Sequence, residues 1–581
     1  MASTQSINND TPNLPEPSLV AKSLTGSKYT QDNKMESLKS QHLQSLGPLV
    51  SIKSLNSSMS TVVNSEGACQ AQRSSSGSAS QLAEGNPSPA LPPKRGTQLY
   101  RWLRWGFGSV YRRIFTLVYL VNLAVLAVLI GHEALGQKDG LTYDNASIAV
   151  SANLLASLFV RNEHIVNAMF IVFCTWSKHA PLPVRRLCAK IYSYGGVHSG
   201  GGISATFWYT AYLVMVTREF AVPNIPLIRG YILLVSYMVV ILLIAILVFA
   251  YPRIRILMHN WFEGIHRFLG WSVILLFWAQ TLMLAADAAR VRQVSMGRSI
   301  LISPSFWMLV IITALVIYPW AHLRLRNVEV EVLSDHVAKL TFDYAKVNYG
   351  QAVRLSDAPL KETHAFAVIP DCRVPQRSSH SESASSNTLD LEASGNIANR
   401  GFSVLVSNAG DWTKKMIQNP PKRIWTRGCP QYGVLRVAGL FKPVIIVATG
   451  SGIGPCLSLF VQAPEHPVRI IWSTPSPEQS YGQAIIDILL RADPQAIIID
   501  TRKSGRPDLV AIAYQVYESS RRQTSGESKE DEGRWNKSGN RREPLGACEA
   551  CVVISNQRVT KKVVYGLESR GLPAYGAIFD S

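Results

Sequence analysis

Long apolar segments alternate with short basic clusters through the first half of the chain. Six such segments lie near residues 113–131, 147–176, 197–216, 230–250, 264–286 and 304–321. Most contain the roughly 20 residues that a helix needs to cross a hydrocarbon layer about 30 Å thick. The second segment is interrupted by the polar run 161–164, which indicates a spanning helix followed by a half-helix at the inner surface. The pattern predicts a polytopic α-helical membrane bundle of about six helices.

Basic residues mark one side of the predicted bundle. They precede the first span and follow the second, fourth and sixth, at Arg101, Arg104, Arg112, Arg113, Lys178, Arg185, Arg186, Lys190, Arg253, Arg255, Arg324 and Arg326. Positive charge concentrates at the cytosolic ends of membrane helices, so both termini are expected in the cytosol. The same placement accounts for the formal net charge of +19 without a nucleic-acid partner.

The residues before the bundle have a different composition. Residues 1–97 are rich in Ser, Asn, Gln and Pro, and such a segment buries too little apolar surface to offset its conformational entropy. We therefore expect a disordered cytosolic tail over 1–97 and the transmembrane helical domain over 98–324. The first residues lack the basic and apolar regions of a cleavable signal peptide, so the first span is expected to direct membrane insertion.

After residue 324 the apolar pattern shortens to that of β-strands. Alternating apolar and polar positions predict a small antiparallel β-barrel over 325–440. Apolar runs that alternate with helical patterns then predict an α/β domain with a parallel sheet over 441–581. The polar stretches 372–399 and 519–545 are predicted to be disordered insertions in these two domains.

The strongest chemical signal is a glycine turn between a strand and a helix of the α/β domain. The apolar run that begins at Val444 leads into Gly450, Ser451, Gly452, Gly454 and Pro455. Glycine lets backbone amides approach a pyrophosphate, and the N-terminus of the following helix offers partial positive charge. The order of strand, glycine turn and helix therefore predicts a dinucleotide site rather than an ordinary connecting turn.

The glycine turn and three upstream motifs resemble the ferredoxin-NADP reductase superfamily, particularly its ferric reductase and NADPH oxidase branch. In chain order the motifs are Gly350-Gln351, His364-Ala365-Phe366, Gly410-Asp411-Trp412-Thr413 and Gly450-Ser451-Gly452-Ile453-Gly454-Pro455-Cys456. Within that branch the chain most resembles the fungal TmpA-like membrane flavoproteins, which join such a module to six helices and are implicated in asexual development (conidiation). Ala365 and Ala367 depart from the family's flavin motif, where a proline and a hydroxyl residue are usual.

The resemblance implies which residues hold the cofactors. FAD would be bound by His364, Phe366, Gly410, Trp412 and Thr413, and NADPH or NADH by the glycine turn together with Arg502. Cations at 502–503 favour the 2′-phosphate of NADPH, although a solvated loop is the alternative interpretation. The near-terminal Phe579 would cover the flavin ring where the nicotinamide docks, and Tyr575 competes for that role. Packing alone is the alternative for Phe579, and equally for His364 and Trp412 in the barrel.

Two histidines in the apolar segments are candidates for haem ligation. Transmembrane members of the resembled branch hold two haems with two histidines on each of two helices, roughly 13–14 residues or about 20 Å apart. Here His198 opens the third segment and His266 the fifth. One such spacing further on, the chain has Ala211 and Tyr212 in the third segment and Ala279 and Gln280 in the fifth, none of which is a usual haem ligand. Each helix therefore retains one histidine, which allows at most one inner haem. A haem-free bundle, in which the histidines form hydrogen bonds or line a pocket, is the favoured alternative.

The leading hypothesis from the sequence is an integral membrane flavoprotein, placed in the plasma membrane by resemblance alone. NAD(P)H is expected to reduce FAD on the cytosolic side, and the flavin to reduce an unidentified acceptor in or near the lipid bilayer. The resemblance links this activity to fungal developmental signalling. The alternatives are a haem-containing ferric or oxygen reductase and a membrane redox sensor that binds flavin or nucleotide without turnover.

Overall fold

The computed structural model describes residues 91–136, 140–371, 401–524 and 546–577. The predicted tail up to residue 90, the predicted insertion 372–399 and the candidate residue Phe579 lie outside these ranges. Over the described part, helices fill the first half of the chain, and two β-sheets with their flanking helices fill the second.

The first half of the described chain is entirely helical. Its α-helices are α1 Gln98–Arg101, α2 Val110–Ala134, α3 Tyr143–Phe159, α4 Glu163–Cys174, α5 Leu182–Cys188, α6 Gly195–Phe220, α7 Leu227–Ala250, α8 Pro252–Leu257, α9 His259–Arg292, α10 Met296–Leu301 and α11 Pro304–Ala321. A π-helix follows α1 at Trp102–Phe107, and 3-10 helices lie at Trp176–His179 and Ala189–Tyr194.

Four helices of the described ranges are long and apolar enough to cross a membrane. They are α2, α7, α11 and the part Trp261–Arg292 of α9. Large apolar side chains on them remain exposed, for example Leu117 at 64% and Ile241 at 63%, and such extended apolar surface is typical of contact with lipid. By length and composition, the structure thus supports four of the six predicted spans. The second predicted span is divided into two shorter helices, and the third is a long helix that is less apolar than the four over a membrane-spanning length.

The second predicted span is two separate helices, α3 with 17 residues and α4 with 12. The side-chain oxygen of Asn162 accepts hydrogen bonds from the amides of His164 and Ile165, at 3.0 and 3.4 Å. An asparagine that satisfies the first amides in this way starts a new helix. The polar interruption seen in the sequence is therefore a helix boundary.

The third predicted span is α6, which is long but rich in glycine. A Cβ on Gly196 would lie 2.5 Å from the carbonyl oxygen of Tyr111 in α2, and one on Gly201 would lie 2.3 Å from Oγ of Ser157 in α3. Small residues at such contacts let helix backbones approach closely. Because α6 packs against both α2 and α3, it carries small residues along these contacts and leaves only a few large apolar side chains exposed, such as Val214 at 54%.

Seven strands in the described ranges form an antiparallel sheet. They are β1 Arg324–Asn327, β2 Glu329–Ser334, β3 Val337–Phe342, β4 Gln351–Ser356, β5 His364–Pro370, β6 Phe402–Ser407 and β7 Arg423–Tyr432, with helix α12 at Asp411–Gln418. Their order is β1-β7-β4-β5-β6-β3-β2. Only Val328 separates the two edge strands β1 and β2 in the chain, so the sheet curls and its edges come together. The predicted antiparallel sheet is confirmed as a curled sheet.

A second, five-stranded sheet in the described part is parallel, as predicted. Its elements are β8 Val444–Thr449, α13 Ile453–Gln462, β9 Val468–Thr474, α14 Pro477–Tyr481, α15 Gln483–Ala492, β10 Ile497–Asp500, α16 Thr501–Ser504, α17 Leu509–Thr524, β11 Ala550–Ile554, α18 Gln557–Glu568 and β12 Ala574–Gly576, with 3-10 helices at Val434–Leu440 and Gly450–Gly452. The strand order is β10-β9-β8-β11-β12. Helix α17 continues to Thr524, so the first six residues of the predicted insertion 519–545 are helical.

Helix α4 joins the helical half to the curled sheet. Glu163, only 1% exposed, accepts a hydrogen bond from Nη1 of Arg354 at 2.5 Å and another from the amide of Cys429 at 3.0 Å. Gly428 has a φ of +70°, and a Cβ there would lie within 2.4 Å of the Glu163 carboxylate. An irregularity in the middle of β7 therefore cradles this carboxylate, and it fixes the start of α4 against the curled sheet.

Candidate functional site

The parallel sheet brings the predicted nucleotide residues to one edge. Strands β8, β9 and β10 end at Thr449, Thr474 and Asp500, and parallel neighbours place these carboxyl ends side by side. Ligands of open parallel sheets bind outside this edge. The glycine turn follows β8 and Arg502 follows β10, so the structure brings these two predicted elements to the same side of the sheet.

The glycine turn has a conformation that restricts side chains. Gly450 adopts a φ of +50°, a left-handed backbone that favours glycine, and its carbonyl accepts a hydrogen bond from Nε1 of Trp472 at 3.0 Å. A Cβ on Gly452 would lie 2.2 Å from the carbonyl oxygen of Ile554 in β11. Gly454 is different, because its nearest neighbour, Leu405, would be at ordinary contact distance of 3.6 Å.

The remaining turn residues lead into the following helix. Ser451 is exposed, Pro455 is half-buried, and α13 begins at Ile453. The amide of Ile453 already donates to the Gly450 carbonyl, and Pro455 has no amide hydrogen. The remaining first-turn amides and the partial positive charge of the helix N-terminus lie at the carboxyl edge of the sheet. This is the arrangement that a pyrophosphate requires.

Arg502 lies in the short helix α16, beside an acid that sequence reasoning missed. Oδ1 of Asp500 accepts hydrogen bonds from the amides of Ser476 and Arg502, each at 2.9 Å. These two hydrogen bonds hold the pKa of the Asp500 carboxyl below its ordinary value. Arg502 and Lys503 are both exposed, so their charges face solvent at the end of β10.

The structure brings His364, Phe366 and Trp412 into one aromatic stack. Ring centroids are 4.3 Å apart for His364 and Trp412 and 5.7 Å apart for Phe366 and Trp412, with interplanar angles of 32° and 25°. In the β4–β5 register, His364 lies opposite Leu355 and Phe366 opposite Val353, so both rings face the core side of the curled sheet. Sequence motifs 46 residues apart thus form a single aromatic wall.

Two buried polar atoms of this wall have no protein partner. Nε2 of His364 and Nε1 of Trp412 are both buried, and neither has a hydrogen-bond partner among the described residues. A buried polar group without a partner costs free energy unless a ligand or water satisfies it. The aromatic wall therefore fits a polar, aromatic ligand such as a flavin.

The turn at Gly410 departs from the expected phosphate contact. Oγ1 of Thr413 accepts hydrogen bonds from the amides of Ala409 and Gly410, at 2.9 and 3.0 Å, and donates one to the Gly410 carbonyl at 2.9 Å. The Thr413 hydroxyl thus closes the turn before α12. The amides of Asp411 and Trp412 in the first turn of α12 are the donors that this geometry leaves for a ligand.

Helix α13 joins the glycine turn to strand β5, which bears His364 and Phe366. It packs against β5, and Oγ of Ser458 in α13 accepts a hydrogen bond from the amide of Gly350 at 3.1 Å. The Gly350-Gln351 motif therefore positions the two sheets relative to each other. Tyr481 lies at the same junction. Its buried hydroxyl is 3.9 Å from a Cβ placed on Gly450.

The C-terminal aromatic candidates have different outcomes. Phe579 lies outside the described residues. Tyr575 in β12 is 1% exposed and stacks on Phe441, with centroids 5.3 Å apart and an interplanar angle of 19°. Burial raises the pKa of the Tyr575 hydroxyl above its ordinary value. Tyr575 is therefore a core residue and does not compete with Phe579 for the flavin.

His198 and His266 lie next to each other in the helical half. Their ring centroids are 6.1 Å apart, and Nδ1 of His198 lies 3.1 Å from the carbonyl oxygen of Ser157. Nδ1 of His266 is buried without a partner in the described ranges. The described residues contain no group of three or more His, Cys, Asp or Glu arranged to hold a metal ion, so any metal ligation here would depend on this pair alone.

The resembled reductases would have a second pair of histidines near residues 212 and 280. In this chain, those positions belong to a network of hydrogen-bonded side chains. Nε2 of Gln280 lies 3.1 Å from the hydroxyl of Tyr212 and 2.6 Å from Oγ of Ser236, to which its two N–H groups can donate. The hydroxyl of Tyr209 donates to Oε1 of Gln280 at 3.2 Å. All four residues are buried. The polar side chains of this network therefore satisfy one another inside the helical half.

The fold and the candidate site combine two parts that are distinct in structure. Helices apolar enough for a membrane are joined to a two-sheet module with a glycine turn at the carboxyl edge of its parallel sheet. Residues 434–524 and 543–581 match a family model described as the C-terminal domain of adenylate-forming reductase 03009. That match includes the glycine turn and Arg502.

Two fungal proteins are similar over a longer range. Adenylate-forming reductases 03009 and 06235 of Coprinopsis cinerea are each 37% identical to this chain over 492 residues. The match covers 84% of this chain and 42% of each relative, so the chain spans less than half the length of these curated relatives.

A solved structure is also similar, at a lower level. Flavohemoglobin from Malassezia yamatoensis, with bound FAD and heme, is 12% identical and covers 75% of this chain and 98% of its own, with a TM-score of 0.31. A TM-score of this size is too low to assign a fold or an activity.

Proposed function

We propose that this chain is a membrane flavoprotein oxidoreductase that passes electrons from NAD(P)H through FAD to a membrane-associated or small-molecule acceptor. One observation carries the proposal: α13, which follows the glycine turn, packs on β5, which bears His364 and Phe366. A dinucleotide turn and an aromatic wall with unpaired polar atoms thus share one junction. The names of the two fungal relatives, both described as reductases, support an oxidoreductase.

The aromatic wall is the proposed FAD site. FAD supplies hydride acceptance and onward electron transfer when bound. His364 and Trp412 would bind it through the buried nitrogen atoms that lack protein partners, and Phe366 through its ring. The first-turn amides of α12 would bind its pyrophosphate. Gly410 and Thr413 act by shaping that turn, and burial against the sheet core excludes water.

The carboxyl edge of the parallel sheet is the proposed nicotinamide nucleotide site. Gly450 and Gly452 keep the turn free of side chains, and the start of α13 offers amides to a pyrophosphate. Arg502 and Lys503 suit the 2′-phosphate of NADPH over NADH, since both are exposed cations at the end of β10. The proposed catalytic role of Phe579, as a cover for the flavin ring, completes this site.

The helical half is the proposed membrane anchor. We place α2, α7, α9 and α11 across a bilayer because their length and composition allow it. We place α3 and α6 across it as well, because α4 and α5, which lie between them in the chain, contact the two-sheet module. Both termini and that module are placed in the cytosol because basic residues flank that side. The resemblance to TmpA-like flavoproteins extends the proposal to the plasma membrane and to a role in conidiation. It is the basis for both assignments.

The test is an absorption spectrum of the full-length protein purified in detergent. We expect oxidised flavin bands that bleach when NADPH is added without oxygen. His364→Ala should lower the bound flavin content severalfold, because the variant lacks a buried nitrogen that FAD would satisfy. The matched control His336→Ala, an exposed histidine of the same sheet, should retain it. Colourless wild-type protein that takes up no added FAD would refute the redox assignment.

The histidine pair favours a second candidate, a reductase with a single inner haem. With metal–nitrogen distances of about 2 Å, two imidazoles that ligate one iron have centroids about 6 Å apart, close to the 6.1 Å observed. The carbonyl of Ser157 would orient the His198 ring through Nδ1. A Soret band that shifts with dithionite and disappears in both His198→Ala and His266→Ala would establish this candidate. Its absence in flavin-loaded protein would exclude it.

A further inference from the structure

A cavity of about 620 Å³ lies where the chain enters its first apolar helix. One wall is the segment 98–112, which includes α1, the π-helix and the start of α2. The opposite wall is α18 with Ala577, and residues 190–193 close the space between them. This cavity is separate from the glycine turn and from the aromatic wall, whose residues do not line it.

The cavity carries a strong excess of positive charge. Its lining includes five cations and one carboxylate, namely Arg101, Arg104, Arg112, Lys190, Lys561 and Glu568. Glu568 is already paired, because it accepts hydrogen bonds from Nζ of Lys190 at 2.6 Å and from Nε1 of Trp105 at 2.8 Å. Among the described residues, no carboxylate forms an ion pair with the three lining arginines, Arg101, Arg104 and Arg112.

Backbone contacts hold two of these arginines in place. Nη1 of Arg101 donates to the carbonyl of Gly96 at 2.5 Å, and Nη1 of Arg112 donates to the carbonyl of Gly106 at 3.0 Å. A guanidinium has five N–H donors, so a single carbonyl contact fixes its position and leaves other donors for an anion. Positioned guanidinium groups are well suited to phosphate recognition.

The outer surface of the same segment is apolar. Trp102, Leu103 and Phe107 are 58%, 47% and 57% exposed, and the first apolar helix begins three residues later at Val110. Exposed aromatic and aliphatic side chains next to arginines are typical of a segment that lies in the headgroup region of a membrane. The cavity would then open at the depth of the lipid phosphates.

We propose that this cavity binds the phosphorylated headgroup of an anionic membrane lipid. The proposal rests on the membrane placement of α2 in the proposed function. A lipid is the expected ligand because the segment 98–112 has both an apolar surface for the acyl chains and a cationic cavity for the phosphate. A soluble phosphate ester shares the headgroup chemistry and is the rival that the experiment must separate.

The experiment is native mass spectrometry of the full-length protein in detergent. The probes are a phosphatidylinositol phosphate, phosphatidylcholine and a water-soluble inositol phosphate. We expect selective retention of the anionic lipid. The double variant Arg104→Gln/Arg112→Gln should weaken it roughly tenfold or more, because both guanidinium groups line the cavity and each would make charge-assisted contacts to the phosphate. Lys561→Gln on the opposite wall should weaken it severalfold, and it provides an independent variant if the double variant misfolds.

Arg113→Gln is the matched control. Arg113 adjoins Arg112 and also holds a turn carbonyl, that of Gly108 at 2.8 Å, but it does not line the cavity. Its affinity for the lipid should remain that of the wild type. Equal weakening by Arg113→Gln, equal retention of phosphatidylcholine, or equally tight binding of the soluble inositol phosphate would each overturn the proposal.

The same samples distinguish this proposal from the redox proposal. Flavin content is read from absorbance and lipid retention from mass. Protein that retains the anionic lipid but no FAD would refute the redox assignment and leave the lipid site supported. Flavin-loaded protein without lipid selectivity would refute the lipid site alone.

Discussion

At the scale of single residues, Glu163 shows how a buried acid joins two parts of the molecule. Its carboxylate contacts Arg354 at 2.5 Å and the amide of Cys429 at 3.0 Å. Glu163→Gln keeps the shape of the side chain but removes the charge, so Arg354 loses its ionic partner. Removal of one member of a buried pair costs a few kcal/mol, and we expect about 2 kcal/mol and a lower unfolding temperature.

The measurement is thermal unfolding of the full-length protein in detergent, followed by intrinsic fluorescence. Glu331→Gln is the matched control, because the carboxylate of Glu331 pairs with Lys339 at 3.5 Å on an exposed surface. Such surface pairs contribute roughly 0–1 kcal/mol. An unfolding temperature of Glu163→Gln equal to that of the control would show that α4 is not anchored through this carboxylate.

Arg502 is the residue on which the choice of nucleotide should depend. If its guanidinium binds the 2′-phosphate, Arg502→Ala removes a charge-assisted contact that only NADPH can make. We expect the KM for NADPH to rise roughly tenfold and the KM for NADH to change little, with a diaphorase assay as the measurement.

Arg491→Ala provides the control for Arg502→Ala. Arg491 is equally exposed but lies near the end of α15, just before β10 begins, and therefore at the amino edge of the sheet. Its KM values should remain those of the wild type. A parallel rise in both KM values for Arg502→Ala would indicate a general loss of binding rather than recognition of the 2′-phosphate.

At the scale of elements, local pattern and distant contacts differ in how far they can be predicted. The run from Val444 into the glycine turn is local, and its strand, turn and helix appear where the sequence predicts them. The polar interruption before α4 is also local and predicts a helix boundary. The contact of α4 with Cys429 is not predictable from the pattern, because the partner lies 266 residues further along the chain.

The contact between α5 and the parallel sheet should make stability depend on pH. Both nitrogen atoms Nη1 and Nη2 of Arg185 donate to Glu549, at 2.6 and 2.8 Å, and the Lys442 amide donates at 2.8 Å. Burial acts to raise the pKa of Glu549, but these hydrogen bonds outweigh it, and the pKa lies below its ordinary value.

A depressed pKa stabilises the folded state above the ordinary carboxyl range, and this stabilisation is lost as the pH falls through the folded pKa. We therefore expect the unfolding temperature of the wild type to fall below about pH 5. Glu549→Gln should start from a lower value at neutral pH and show a shallower fall. Parallel profiles for the two proteins would show that this carboxyl does not carry the dependence.

At the scale of the whole molecule, the sequence predicts the apolar helices but not how they pack against one another. Apolar length predicts α2, α7, α9 and α11 as candidate spans, and these are the four that the described structure supports. Length alone cannot distinguish a lipid-facing helix from α6, because α6 is long but packs against both α2 and α3. For the candidate site, motif order predicted the flavin strand and the nucleotide turn. It missed Asp500 and Tyr481, which belong to no motif and meet the site only through the fold.

If the proposed electron transfer takes place, the Gln280 network should limit its path through the whole molecule. In the resembled reductases a second haem would be held where this chain has Tyr212 and Gln280, and here these two side chains bind each other and Tyr209. Electrons delivered on the module side should therefore reach an acceptor in the bilayer but not one beyond it. We expect vesicles containing the protein, supplied with external NADPH, to reduce an added lipophilic quinone.

Without added quinone, such vesicles should leave entrapped ferricyanide oxidised, because the Gln280 network offers side chains that satisfy one another rather than haem ligands. Opening the vesicles with detergent is the control, and it should make ferricyanide reducible by exposing it to the module. Rapid reduction of the entrapped dye in intact vesicles would mean that electrons cross the bundle by another route. The network would then have to be interpreted as packing that leaves transfer to the outer face unimpeded.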